Sequence, residues 1–226
     1  MTESPEPKYR KHISYQAILL GGFATLAAIL LVSANLATSD TIAERQKEDL
    51  LASLNQVMPP AWYDNDLLQN PLHVSRPNGR ALKIYRGFKE SQVSTLAWEI
   101  SEQGYAGEIR MIMGIDSACN ILGVRVVAHA ETPGLGDKIE PEKDDWITRF
   151  NGLSLNNPPV DQWKVKKDGG HFDSFSGATI TPRAVVKGIH KGLEFYQNNR
   201  SRLLALPEDA VSSETIPINL NPGDKP

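Results

Sequence analysis

The stretch Ile109-Arg-Met-Ile-Met-Gly-Ile-Asp-Ser-Ala-Cys-Asn-Ile-Leu-Gly-Val-Arg-Val-Val-Ala128 decides the fold class. Ile109, Met111, Met113 and Ile115 recur at every second position, and so do Leu122, Val124, Val126 and Ala128. A period of two is the mark of strands that bury one face. Between the runs lies Asp116-Ser-Ala-Cys-Asn120, a polar turn. The expectation is an antiparallel hairpin in a half-buried sheet that is hydrophobic on one face.

Toward the N-terminus, Ala81 to Phe88 and Val93 to Ser101 read as a second hairpin around Lys89-Glu90-Ser91. Thr41 to Met58 reads as a helix, with Asp40 as cap and Leu50, Leu54, Val57 and Met58 at helical spacing. Pro59-Pro60 stops it. Toward the C-terminus, Asp144 to Phe150 reads as a short helix closed near Gly152, and Asn156 to Pro159 as loop. Thr181 suits an N-cap and Pro182 the first helical position of a helix running to about Asn198. Its buried stripe is Val185, Ile189, Leu193 and Tyr196, and Gly188 and Gly192 give it a thin face for close packing. Beyond Leu206 the chain is polar and Pro-rich without periodicity, which reads as a disordered tail. The class is α+β.

No charge occurs from Ile13 to Ser39, and Ala17 to Leu36 is the densest apolar run. That is about the length needed to cross a hydrocarbon core of ~30 Å at ~1.5 Å per residue. Lys8, Arg10 and Lys11 precede the run; Asp40, Glu44 and Arg45 follow it. Positive flanks stay in the cytoplasm, so the segment after Thr41 is expected outside, in the periplasm of a Gram-negative cell. A cleaved signal peptide is the competing reading, with Ser33, Ala34 and Ala37 imitating a cleavage site, but the run exceeds the usual ~7–15 residue apolar region. The expected organisation is a cytoplasmic segment 1–12, a transmembrane helix 13–38, a helical stalk 39–60, a periplasmic domain 61–206 and a tail 207–226.

The bulk numbers fit one folded domain with appendages: 226 residues, 40% hydrophobic, 23% charged, net charge −3. No basic surplus points to nucleic acid. The single Cys119 excludes an internal disulfide, Cys-cluster zinc sites and Cys-bound iron–sulfur clusters. No metal site is read from the sequence.

The chemistry is concentrated in Asp173-Ser-Phe-Ser176-Gly177-Ala178-Thr179-Ile-Thr181-Pro182. This is a small-residue turn feeding a helix N-terminus, where backbone N–H groups and the helix dipole favour an anion. Local chemistry alone gives only a phosphate-accepting turn with two threonine hydroxyls beside it. The segment Asp173 to Thr179 resembles the flavinylation signature D-x-x-[ST]-G-A-[ST] of the FMN-binding subunits of the Rnf complex and of the sodium-pumping NADH:quinone reductase. A second stretch, Glu131-Thr132-Pro133-Gly134-Leu135-Gly136-Asp137, is similar to a segment of the G-type subunits of Rnf complexes, also known from the SoxR-reducing complex. So are Gly104-Tyr-Ala-Gly107, Asp145 to Thr148 and Val165 to Gly170, and the likeness extends over nearly the whole chain.

The resemblance implies a small antiparallel-sheet FMN-binding domain on a single membrane helix and stalk. It implies FMN joined by a phosphoester to Thr179, placed there from FAD by a periplasmic flavin transferase that recognises Asp173. Ser176, Gly177, Ala178, Glu131, Thr132, Gly134 and Leu135 are the further candidate cofactor contacts. Glu131 is expected to bond backbone amides of its own loop or to be a solvated carboxylate. His129, Lys138, Lys166, Lys167, Trp146, Trp163 and Ile180 are weaker candidates, more simply read as surface or core residues. The implied role is electron relay in the inner membrane, linking ferredoxin and NAD or feeding SoxR, coupled to ion movement. Partners would be the A, B, C, D and E type subunits, the transferase and the bilayer. The chain reads as a redox subunit rather than a complete enzyme, and it displays no acid–base dyad. The rival readings are a stand-alone periplasmic flavin carrier and a non-redox structural subunit whose Ser176–Thr179 turn only packs.

Overall fold

The computed structural model describes residues 13–75, 81–206 and 216–217. The expected cytoplasmic segment 1–12 lies outside them, as does most of the expected tail. The chain divides into two units, Met1–Asp49 and Leu50–Pro226.

In the first unit the apolar run belongs to helix α1 (Ile13–Val57), which runs unbroken through Asp40, so Asp40 is no cap, and ends one residue before Met58. Residues from Ile13 to Leu36 are exposed, and α1 is long and apolar enough to cross a membrane. Hydroxyls that would otherwise be unpaired bond back along the helix, Thr25 to the Gly21 carbonyl and Thr38 to that of Ala34, each at 2.8 Å.

The second unit is built on an antiparallel sheet of β1 (Leu72–Ser75), β2 (Ala81–Lys89), β3 (Gln92–Gln103), β4 (Glu108–Asp116) and β5 (Ile121–Ala128) in the order β5-β4-β3-β2-β1. A two-residue strand, β6 (Ile216–Pro217), pairs parallel with Val74 and Ser75 of β1, so part of the stretch expected as disordered tail is strand. The β2–β3 turn is Glu90-Ser91, both at positive φ (50° and 63°), the geometry that lets a two-residue turn follow the strand twist. Asp116 organises the β4–β5 turn: its Oδ1 accepts from the Ala118 and Asn120 amides at 2.9 and 2.7 Å. Cys119 in that turn is buried, and burial pushes its thiol up, away from thiolate chemistry.

Helix α2 (Ile180–Leu203) packs Val185, Ile189, Leu193 and Tyr196 on one face of the sheet, against Trp98, Met111 and Met113 among others. A methyl group at Gly192 would stand 2.6 Å from Met113 Cε, so the thin face of the helix is used. The helix continues past the expected end at Asn198, where the Tyr196 hydroxyl donates to the Ser117 carbonyl at 2.8 Å and Arg200 reaches the same oxygen. A layer of Trp146, Phe150, Trp163, Phe172 and Phe175 extends the same core. Its Asp145–Phe150 segment is a 3-10 helix capped by Asp144, whose carboxylate accepts from the Trp146 amide.

The sheet is not hydrophobic on one face only. Leu54, Val57, Met58 and Leu67 pack with Ala97 and Ile112 on the opposite face. Gly114 and Gly123, paired across β4 and β5, make this approach fit: a Cβ at Gly114 would lie 2.0 Å from the Val57 carbonyl oxygen. A bulge between Gly114 and Ile115 also corrects the expected alternation in β5. It places Ile121, 1% exposed, in the core and leaves Leu122 only half-buried.

Candidate functional site

Three segments meet at one cavity of about 230 Å³: the β3–β4 connection Gly104–Gly107, the loop after β5, and the turn that starts α2. Tyr105, Glu131, Thr132, Leu135, Ala178, Thr179 and Ile180 are among its lining residues.

Glu131 joins the three. It is buried, 4% exposed, and its Oε1 accepts from the Tyr105 and Ala106 amides at 2.9 and 3.1 Å. Its Oε2 accepts from the Thr181 hydroxyl. The carboxylate therefore bonds amides of the neighbouring turn, not of its own loop, and is not solvated. Two glycines make room for it: a Cβ at Gly104 would lie 2.4 Å from Oε1, and one at Gly136 would lie 3.0 Å from both Oε2 and Thr181 Oγ1. The Glu131 amide in turn donates to His129 Nδ1 at 3.1 Å, which leaves Nε2 to donate to Glu140 Oε1 at 2.7 Å. His129 is thus a bracing residue of the loop and not part of the cavity wall.

The loop closes on the Thr132 carbonyl, which accepts from the Leu135 and Gly136 amides at 3.1 and 3.0 Å. This fold of the chain presents Leu135 at 43% exposure. Gly134 sits at φ 77° away from the cavity lining, and Ser176 is also outside it. Gly177, at φ 81°, forms the turn in which the Ala178 amide donates to the Phe175 carbonyl at 3.2 Å.

The helix start differs from the expected one. Helix α2 begins at Ile180, so Thr179 occupies the N-cap and Thr181 lies inside the first turn. Thr181 is fully buried and committed to Glu131. Thr179 makes no side-chain capping bond, and it is half-buried on the cavity wall. Pro182, in the same turn, supplies no amide, which costs nothing where the first N–H groups lack helical partners.

Among the described residues lining the cavity only Glu131 is charged. Lys138, Lys166 and Lys167 do not reach it; Lys166 instead pairs with Asp173 at 2.7 Å. Trp146 and Trp163 are core residues, 3% and 6% exposed, and the Trp146 indole donates to the Asp173 carbonyl at 3.0 Å. Asp173 also accepts from Arg149 at 2.8 Å, and Lys166 followed by Arg149 holds its carboxyl below the usual carboxylate range. Tyr105, Gly136 and Thr181 line the cavity although none of them is among the cofactor contacts expected from sequence; Tyr105 and Gly136 belong to stretches that carry the family resemblance.

A sequence model described as the FMN-binding domain matches residues 104–194, the span containing all three segments, and one described as the RnfG N-terminal region matches residues 1–57. The domain thus falls in the class of FMN-binding domains. The G-type subunit of the ion-translocating oxidoreductase complex of Stutzerimonas stutzeri is 48% identical over 187 residues, covering 83% of this chain and 82% of the relative. The protein of the same description from Cereibacter sphaeroides is 44% identical over 209 residues, covering 90% of this chain and 95% of the relative. The crystal structure of Shewanella oneidensis NqrC aligns with 67% of this chain and 73% of its own, with a TM-score of 0.44 at 22% identity. The chain belongs to the RnfG family, the G-type subunits of ion-translocating oxidoreductase complexes.

Proposed function

We propose that this chain is the flavin-bearing subunit of an ion-translocating electron-transport complex, with FMN esterified through its phosphate to Thr179. The observation that carries this reading is the contrast between two threonines: Thr179 has a hydroxyl uncommitted to capping on the cavity wall, whereas the Thr181 hydroxyl is buried against Glu131. The cap position also supports it. The Ile180 and Thr181 amides at the start of the 24-residue helix have no helical partner, and the helix dipole favours a phosphate's charge there.

The lining suits a flavin ring as well. Leu135 and Ile180, 43% and 46% exposed, offer apolar contact, and the small Gly177 and Ala178 leave Thr179 accessible to a bulky group. At about 230 Å³ the cavity is smaller than the ~300–1,000 Å³ of sites that enclose a small molecule, so a tethered ring keeps one side open to a partner. Bound flavin supplies one- and two-electron exchange, which links single-electron and hydride carriers. In this reading ferredoxin and NAD, or SoxR, stand at the ends of the chain of carriers, and the other subunits of the complex surround it. The three basic residues Lys8, Arg10 and Lys11 before the apolar run of α1, against Asp40, Glu44 and Arg45 after it, support an inner-membrane anchor. By the charge bias of the flanks they support an N-terminus in the cytoplasm and a cavity in the periplasm, where a flavin transferase would work.

The test is a denaturing gel viewed under ultraviolet light after co-expression with a flavin transferase. A fluorescent band is expected for the parent chain and for Thr181→Ala, and none for Thr179→Ala. A band that persists in Thr179→Ala and vanishes in Thr181→Ala assigns the wrong threonine. No band from the parent chain removes the covalent reading.

A further inference from the structure

We infer that Tyr105 forms an aromatic wall of the flavin site, in contact with the ring system of a cofactor held at Thr179; this rests on the reading of Thr179 given above. Tyr105 is 69% exposed at the tip of the four-residue connection between β3 and β4, an unusual place for a large aromatic side chain. It lines the same cavity as Leu135, Thr179 and Ile180.

The tip is held, not loose. The Gly104 amide donates to the Gly107 carbonyl at 2.8 Å, closing the connection on itself. The amides of Tyr105 and Ala106 both turn inward to Glu131 Oε1. The other oxygen of that buried carboxylate takes the Thr181 hydroxyl, two residues beyond Thr179. One side chain therefore fixes both the backbone that presents Tyr105 and the helix start that presents Thr179. A carboxylate removed from water is a costly device for holding a surface turn. Its effect here is to fix an exposed ring in relation to the acceptor hydroxyl.

The chemistry of the lining agrees. Among the described residues no cation lines the cavity to pair with the flat ring, and its one carboxylate is consumed by backbone and hydroxyl donors. What remains for a planar, electron-poor heterocycle is an aliphatic contact from Leu135 and Ile180 and an electron-rich face from Tyr105. Offset stacking of such rings is favourable, and a phenol in contact with a flavin quenches its fluorescence. In quenching, the photoexcited ring takes one electron from the phenol and returns it, with no net oxidation of either.

The experiment uses the full-length chain, loaded by the transferase and purified in mild detergent, with the adduct verified by intact mass. Native flavin fluorescence is compared with that of the same sample unfolded in guanidinium. For the parent chain, emission is expected to rise several-fold on unfolding. Tyr105→Leu should emit in its native state close to the unfolded level, with the adduct mass corresponding to one FMN. Tyr105→Trp should remain quenched. A fully loaded Tyr105→Leu whose native emission equals that of the parent overturns the inference. Failure of both variants to load also overturns it, because the turn then serves the transferase and not the ring. Loading of Tyr105→Trp alone supports the aromatic wall. An unloaded parent chain instead rejects the Thr179 reading, so the two failures are distinct.

Discussion

Thr181 donates its hydroxyl to the buried carboxylate of Glu131, and this bond ties the first turn of α2 to the loop after β5. Neither residue is near the other in sequence, yet both belong to stretches with the strongest family likeness. The pair gives Thr181 a packing role and separates it from Thr179, whose hydroxyl is free of capping.

Removing either partner should therefore act on stability before it acts on flavin attachment. Thr181→Val leaves a buried carboxylate short of one donor, a loss of roughly 1–3 kcal/mol. Glu131→Ala leaves the Tyr105 and Ala106 amides and the Thr181 hydroxyl without their partner, and should cost about 2–4 kcal/mol. Urea titration of the full chain in detergent measures both, and a value for Glu131→Ala no larger than that for Thr181→Val would contradict the three-way junction.

The sheet face opposite α2 makes a separate prediction. Gly114→Val would set a branched side chain against the Val57 carbonyl, where even a Cβ comes to 2.0 Å. Overpacking against backbone should cost more than about 3 kcal/mol, because neither β4 nor the helix end can yield like a flexible side chain. Gly107→Ala, whose Cβ would meet only Ala130 at 3.5 Å, should cost less than about 1 kcal/mol. Comparable losses for the two would mean that the end of α1 does not pack tightly on Gly114.

Acid should weaken the contact between α2 and β3 in a defined way. Glu102 is bonded by Lys187 at 2.9 Å and Lys191 at 3.0 Å. Burial raises its carboxyl, but the two lysines together outweigh burial and hold it below the usual range. A folded value below the unfolded one, ~4.3 for Glu, stabilises the fold above that unfolded value. The contribution disappears as pH falls through the folded value. The urea midpoint of the parent should exceed that of Glu102→Gln at pH 7 and pH 5, by roughly 1–3 kcal/mol in stability, and the gap should begin to narrow only as pH falls below the unfolded value of ~4.3. A gap that widens in acid would reverse the assigned sign.

Asp173 offers a test of recognition against structure. Its ion pairs with Lys166 and Arg149 involve exposed side chains, and such pairs contribute at most about 1 kcal/mol. Asp173→Asn should leave the urea midpoint nearly unchanged and still lower the yield of fluorescent band on co-expression with the transferase. A full band from a stable Asp173→Asn chain would remove Asp173 from the signature's working residues.

By itself the sequence determined the local elements and the chemistry that depends on neighbours along the chain. The period of two in Ile109 to Ile115 gave the strand, the uncharged Ile13 to Ser39 run gave the apolar helix, and Asp173 to Thr179 gave the turn before α2. These patterns are local, so backbone geometry alone connects them to structure. Tertiary structure decided what distant segments do to one another. Thr181 suits a cap by its place before Pro, yet the helix starts at Ile180, with Thr179 at the cap and the Thr181 hydroxyl buried against Glu131. Gly114 and Gly123 interrupt apolar strands, and the reason lies in a distant segment, Val57, which packs over both. Tyr105 stood in sequence only as part of a family-like Gly104–Gly107 stretch with no role of its own; the Glu131 carboxylate fixes its turn beside the same cavity. In each case the deciding partner lies many residues away, and the energy that selects it comes from burial and paired polar groups that exist only once the chain has folded.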